Sequence, residues 1–201
     1  MRGLVWQRTD VNGAEYAALD ERRGLAARGV AVADDPLPYA CRYDLTTDEG
    51  WATTRFDATV EGAGWQRSIR MERSAGRWRV TTGERGDLDA ALRAVRRRAA
   101  PLAGSEDPER LANALDVDLY ASPLTNTLPL RRLRLLDAEP GTSTTITAAW
   151  VLLPSFAVVA SEQAYTVLGP GRVRYASGTF TAELELDADG YVTHYPGLAR
   201  R

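Results

Sequence analysis

Apolar and polar residues alternate with a period of two along most of the chain, the spacing at which one face of a β-strand is buried and the other wetted. In "TTITAAWVLL" Ile146, Ala148, Trp150 and Leu152 share a face. In "TFTAELELDADGY" Phe180, Ala182, Leu184 and Leu186 oppose Thr179, Thr181, Glu183, Glu185 and Asp187. The Asp-Gly pair closing that run is the signature of a tight hairpin turn, and "LGPGRVRYAS" places another turn ahead of a strand around Val173 and Tyr175. A hairpin is expected from about Arg172 to Tyr195. Earlier, "LAARGVAVA", "YACRYDLTT", "WATTRFDATVEG", "WQRSIRME" and "GRWRVTTG" are short Val-, Thr- and aromatic-rich runs separated by Gly, Pro and Asp, the rhythm of an antiparallel meander. No alternation of strand with helix suggests a Rossmann crevice or a barrel of parallel strands.

One stretch breaks the pattern. In "DLDAALRAVRRRAAPLAGSEDPERLANAL" acids open the run, Leu88, Leu92, Val95 and Ala99 recur at helical spacing, arginines gather late and Pro101 follows. This predicts a helix over about Asp87 to Ala99, its charges complementing the macrodipole, so Arg96 to Arg98 read as a solvated last turn rather than a nucleic-acid patch. A second short helix is expected after Asp107-Pro108, where proline suits the first helical position.

Composition narrows the chemistry. The 201 residues suffice for one domain, 1–201, with a full core. The 25 basic and 27 acidic residues nearly cancel, whereas a duplex binder needs a basic excess, so nucleic acid is not an expected partner. Every basic residue other than His194 is Arg, which removes Schiff-base and Walker-lysine mechanisms. The single Cys41 and single His194 exclude an intrachain disulfide, a cysteine zinc cluster and a multi-histidine metal site, and no cofactor is called for. No apolar run approaches the length of a transmembrane helix, and a cytoplasmic location is expected.

The most distinctive stretch is "DVDLYASPLTNTLPLRRLRLL", Asp116 to Leu136. If Asp116 to Leu119 is extended, Asp116 and Asp118 lie on one face and Val117 and Leu119 on the other. Such a carboxylate pair can meet Arg131 and Arg132, hold a ligand, or perform acid–base work if burial raises one pKa. Ser122, Asn126 and Thr127 suit an irregular turn, and a single helical turn from about Thr127 to Arg132 is expected.

"DVDL", "SPLTNTLPLRRL" and the closing "DADGYVTHYPGL" resemble the motifs of the bacterial "putative glycolipid-binding" family, with "VWQRTD" and "AAWVLLP" also similar. The resemblance implies a mostly β fold: a large antiparallel curled sheet, a spiral β-roll, wrapped around a helix, with an additional inserted helical segment at about 87–112. It selects Asp116, Asp118, Ser122, Asn126, Thr127, Arg131, Arg132 and Tyr195 as ligand-binding residues. Three departures stand out: the insertion itself, Leu115 where a cysteine is common, and His194 where an acid is usual. The expected role is non-enzymatic binding of an amphiphile such as a glycolipid. Two alternatives stay open, a structural domain held by an Asp–Arg network and a carboxylate-pair hydrolase. Ligand identity and oligomeric state are not legible.

Overall fold

The computed structural model describes residues 1–104 and 108–201. Among the described residues the strands are Arg2–Arg8 (β1), Gly13–Asp20 (β2), Ala26–Ala33 (β3), Tyr39–Thr47 (β4), Thr53–Gly62 (β5), Trp65–Ser74 (β6), Arg77–Gly86 (β7), Ala114–Leu119 (β8), Ser143–Val151 (β9), Val158–Gly169 (β10), Arg172–Ser177 (β11), Phe180–Leu186 (β12), Val192–Tyr195 (β13) and Ala199–Arg200 (β14). Two α-helices accompany them, Leu88–Ala94 (α1) and Thr127–Arg132 (α2). The strands form one sheet in the order β7-β6-β5-β4-β3-β2-β1-β14-β13-β12-β11-β10-β9-β8. Two meanders therefore meet where β1 pairs with β14, Gln7 opposite Arg200 and Arg8 opposite Ala199. The sheet is open, with β7 and β8 as its edges.

Alternation explains the inner face. Along β4, Tyr39, Cys41, Tyr43, Leu45 and Thr47 are buried while Arg42 and Asp44 face water. The first meander packs Trp6, Leu19, Leu45, Phe56, Met71 and Trp78 into one core, joined by Leu88 and Leu92 of α1. A second core gathers Tyr165, Val173, Tyr175, Leu184, Val192 and Tyr195. The segment after β8 lies between them: Leu124 and Leu128 belong to the first core and Leu130 to the second. Helix α2, at the expected residues, is thus the element around which the sheet curls.

The sheet is mixed rather than wholly antiparallel, because β8 runs parallel to β9. Strand β8 and the second half of β9 are largely buried, as parallel pairs usually are. Val117, Leu119, Ala149 and Val151 join the first core, so Trp150 shares its face with Asp118 rather than with the apolar side. The outer edge of β8 is held by side chains of the first meander: Thr53 Oγ1 accepts the Val117 N–H (3.1 Å), and Trp78 Nε1 donates to the Ala114 carbonyl (2.9 Å).

The inserted helix is shorter than its periodicity suggests. Asp87 caps the start, its carboxylate accepting the Ala90 N–H at 2.8 Å. The end is a Schellman motif: Arg96 adopts φ 59°, its N–H donating to the Arg93 carbonyl and that of Arg97 to the Leu92 carbonyl. Arg96 to Arg98 therefore lie beyond the helix, and Arg97 ion-pairs with Asp35. Buried Arg67 of β6 fastens the descending chain by donating to the carbonyls of Pro101 (3.1 Å) and Ser155 (2.9 Å). The expected second helix is a 3₁₀ turn, Pro108–Leu111, and Asp107 lies outside the described residues. The expected hairpin at Arg172 to Tyr195 is three strands, β11 to β13, the Asp-Gly turn joining the last two.

Candidate functional site: an aromatic-walled cleft

The chain leaves β8 through a sharp reversal in which Ala121 takes φ 62°, a conformation costly for a residue with a side chain. The Ser122 N–H closes the turn on the Leu119 carbonyl (3.0 Å). This reversal lays Ser122 and Asn126 at the base of a cleft of about 630 Å³ whose lining includes Asp118, Tyr120, Trp150, Ser161, Tyr175, Ser177, Phe180 and Tyr195. The register explains the gathering. Asp118 lies beside Trp150 across β8–β9, Ser161 opposite Ala148 across β9–β10, and Ser177 opposite Phe180 across β11–β12. Tyr120 and Trp150 approach with ring centroids 6.2 Å apart, and Tyr175, Phe180 and Tyr195 form a triangle with separations of 6.2, 6.2 and 6.3 Å.

The base is a hydrogen-bonded polar network. Asp118 accepts from the Thr125 hydroxyl (2.9 Å) and from Gln163 Nε2 (2.7 Å). Asn126 Nδ2 donates to the Tyr165 hydroxyl (3.1 Å), which donates to Gln163 Oε1 (3.2 Å). Burial pushes the Asp118 carboxyl up to about 6, the two donors opposing the rise and the nearby Asp116 adding to it.

Behind Ser122 lies a second buried carboxylate. Glu15 of β2 points inward among apolar neighbours, and its Oε1 accepts from the hydroxyls of Ser122 (2.6 Å) and Tyr43. Tyr43 reaches it across Gly29, where a Cβ would lie 2.0 Å from the tyrosine ring. Glu15 Oε2 is buried with no hydrogen-bond partner among the described residues. Burial raises this carboxyl to about 7 against the pull of Ser122, Tyr43 and the more distant Arg8.

The eight residues singled out by the sequence divide equally. Asp118, Ser122, Asn126 and Tyr195 line the cleft. Asp116 instead takes both Arg132 Nε (3.1 Å) and an Arg132 terminal nitrogen (2.5 Å), burial raising its pKa and Arg132 opposing. Thr127 donates to the Gly190 carbonyl (3.1 Å), tying α2 to the Asp-Gly turn. Arg131 stacks on Trp51, its guanidinium 4.5 Å from the ring centroid, and donates to the Asp189 carbonyl (2.9 Å). Neither arginine lines the cleft. Sequence reasoning missed Glu15, Tyr120, Trp150, Tyr175 and Phe180 as site residues. The signals available were an acid inside the small-residue run "GAEYAALD" and a tryptophan in "AAWVLLP".

Other features carry less chemistry. His194 is exposed with Nδ1 3.8 Å from Glu185 Oε1, and it does not line the cleft. Cys41 is buried, which pushes its thiol up. A broader depression of about 920 Å³ on the outer face of β4 to β7 is lined by exposed charges that pair among themselves, as Asp57 does with Arg55 and Arg70. Among the described residues no group of three or more His, Cys, Asp or Glu is placed to hold a metal ion, and no helix is long and apolar enough to cross a membrane.

A DUF1089 family protein from Pseudomonas aeruginosa, known as a crystal structure, is similar to this chain with a TM-score of 0.68 and 27% identity, covering 93% of this chain and 91% of that one. No curated protein matches. A family model described as "putative glycolipid-binding" matches residues 3–201, nearly the whole length over which the curled sheet and its cleft are built. The chain belongs to that family.

Proposed function

We propose that this protein binds an amphiphile, glycolipid-like in character, in the cleft between the reversal that follows β8 and the second meander, and that it acts by holding this molecule rather than transforming it. The observation that carries the reading is the pairing of aromatic walls with a polar base in one concavity. A cleft of about 630 Å³ falls within the range that small-molecule sites occupy. Ring faces suit the C–H side of a sugar or an acyl chain, while Ser122, Ser161, Ser177 and Asn126 offer hydroxyl and amide groups to a headgroup.

The hydrolase alternative requires two carboxylates facing one bond. Only Asp118 of the pair lines the cleft, and Asp116 is committed to Arg132, an arrangement that favours binding over glycosidic chemistry. The Asp–Arg network expected of a structural domain is present as Asp116–Arg132, and it sits beside the cleft instead of filling it.

Organic extraction of the purified protein followed by mass spectrometry is expected to release a stoichiometric amphiphile. Octyl glucoside added below its micellar concentration is expected to change the emission of Trp150, and Trp150→Leu to abolish that change. A protein that carries no lipid and ignores short-chain amphiphiles of every headgroup refutes the proposal.

A further inference from the structure

The charge of the cleft is uneven for so arginine-rich a chain. All 25 residues counted as basic are arginines, yet the described residues lining the cleft include two acids, Asp10 and Asp118, and no Arg or His. The acid at the rim is neutralised: Asp10 receives Arg8 Nε (2.7 Å) and an Arg8 terminal nitrogen (2.6 Å), and that guanidinium side chain is only 8% exposed. The acid at the base is not. Among the described residues Asp118 has two neutral donors, Thr125 and Gln163, and no cationic partner.

Around this carboxylate stand five aromatic rings. Tyr120 and Trp150 come from the end of β8 and from β9, and Tyr175, Phe180 and Tyr195 from β11 to β13. Ring faces carry negative charge, and a cation within about 6 Å of a centroid is attracted to them, most strongly where water is excluded. Phe180 lines the cleft and is half exposed, so its ring is accessible to an entering group. An anionic headgroup would meet the Asp118 charge and the ring faces with no guanidinium free to receive it.

We infer that the cleft selects a headgroup bearing a positively charged nitrogen, a protonated amine or a quaternary ammonium, seated among the rings with Asp118 as its counter-ion. The inference rests on the cleft being the ligand site and specifies the charge of what enters it. An ammonium-bearing lipid and a small soluble amine share this chemistry.

Ligands of matched chain length separate the possibilities. Octyltrimethylammonium, octyl glucoside and octyl sulfate, all below their micellar concentrations, and choline without a chain are titrated into the intact protein by calorimetry and tryptophan fluorescence. The ammonium is expected to bind about tenfold more tightly than the glucoside, with the sulfate weakest, because ring contacts and one desolvated ion pair are gained together. Asp118→Asn is expected to bring the ratio of ammonium to glucoside affinity from about tenfold down towards one, since the charge-assisted contact is lost for the ammonium alone. Phe180→Ala, at a half-exposed position tolerant of truncation, is expected to weaken the ammonium severalfold.

Choline binding as tightly as octyltrimethylammonium supports the charge assignment and identifies a soluble amine as the source. Glucoside binding equal to or tighter than ammonium overturns the charge assignment and leaves amphiphile binding standing. Sulfate binding tightest overturns it by reversal. Failure of all four ligands removes both this inference and the proposed function.

Discussion

Replacing Glu15 by Gln isolates one buried charge. The carboxyl is raised from 4.5 to about 7, chiefly by burial, and one oxygen has no partner among the described residues. Because the folded-state pKa is the higher, the unfolded chain gives up its proton first. Between the two values the folded protein binds more protons, so stability is full below about pH 4 and is lost as pH rises through 7. One pKa unit corresponds to about 1.4 kcal/mol, so ionisation of this group withdraws roughly 2 to 3 kcal/mol between pH 5 and pH 8, most of it below pH 7. Gln keeps an oxygen for Tyr43 and Ser122 and does not titrate. Urea unfolding followed by tryptophan fluorescence at pH 5, 6, 7 and 8 is the assay, read as variant minus parent so that other acids cancel. The variant is expected to gain on the parent by roughly 2 to 3 kcal/mol across that window. A difference constant to within about 0.5 kcal/mol, near the scatter of extrapolated unfolding energies, refutes the reasoning.

Arg132→Met strands Asp116, which is 2% exposed, and is expected to cost about 3 to 5 kcal/mol, seen as a lower denaturation midpoint with unchanged slope. Replacing Asp116 and Arg132 together by apolar residues is expected to recover most of this loss, which a double-mutant cycle measures. Thr53→Ala deprives the buried Val117 N–H of its acceptor and is expected to cost about 1 to 3 kcal/mol, with faster amide exchange at Val117. Gly29→Ala puts a methyl 2.0 Å from the Tyr43 ring, and expulsion of that ring from Glu15 is expected to cost at least about 2 kcal/mol in thermal unfolding.

Strands β3 to β7, β9, β11 and β12 were legible because each exposes one face to water, so their polar residues keep time with their apolar ones. Strand β2 was hidden because its inward set, Glu15, Ala17 and Leu19, includes a charge and a small residue. Alternation from Asp116 to Leu119 marked β8 as extended, but its parallel pairing was hidden because the choice and direction of a partner strand leave no trace in a local pattern. At the site, the local turn from Ser122 to Arg132 was legible from residue types with strong backbone preferences. The destinations of the arginines were not. That Arg132 takes Asp116 and Arg131 takes Trp51 follows from which residues the curl brings opposite α2, which no local pattern encodes. The aromatic walls come from strands far apart in the chain, and their convergence depends on the direction in which the sheet bends.

A sheet of this width should own two adhesive borders, each able to recruit a foreign strand and seed polymers. Here one border, β8, is tucked against the first meander, with Thr53 and Trp78 standing in for a neighbouring strand. The other, β7, bristles with Arg77, Arg79, Glu84 and Arg85, whose hydrated charges deter a docking backbone. Two unlike devices, one of contact and one of charge, thus guard the borders of a sheet that never closes on itself.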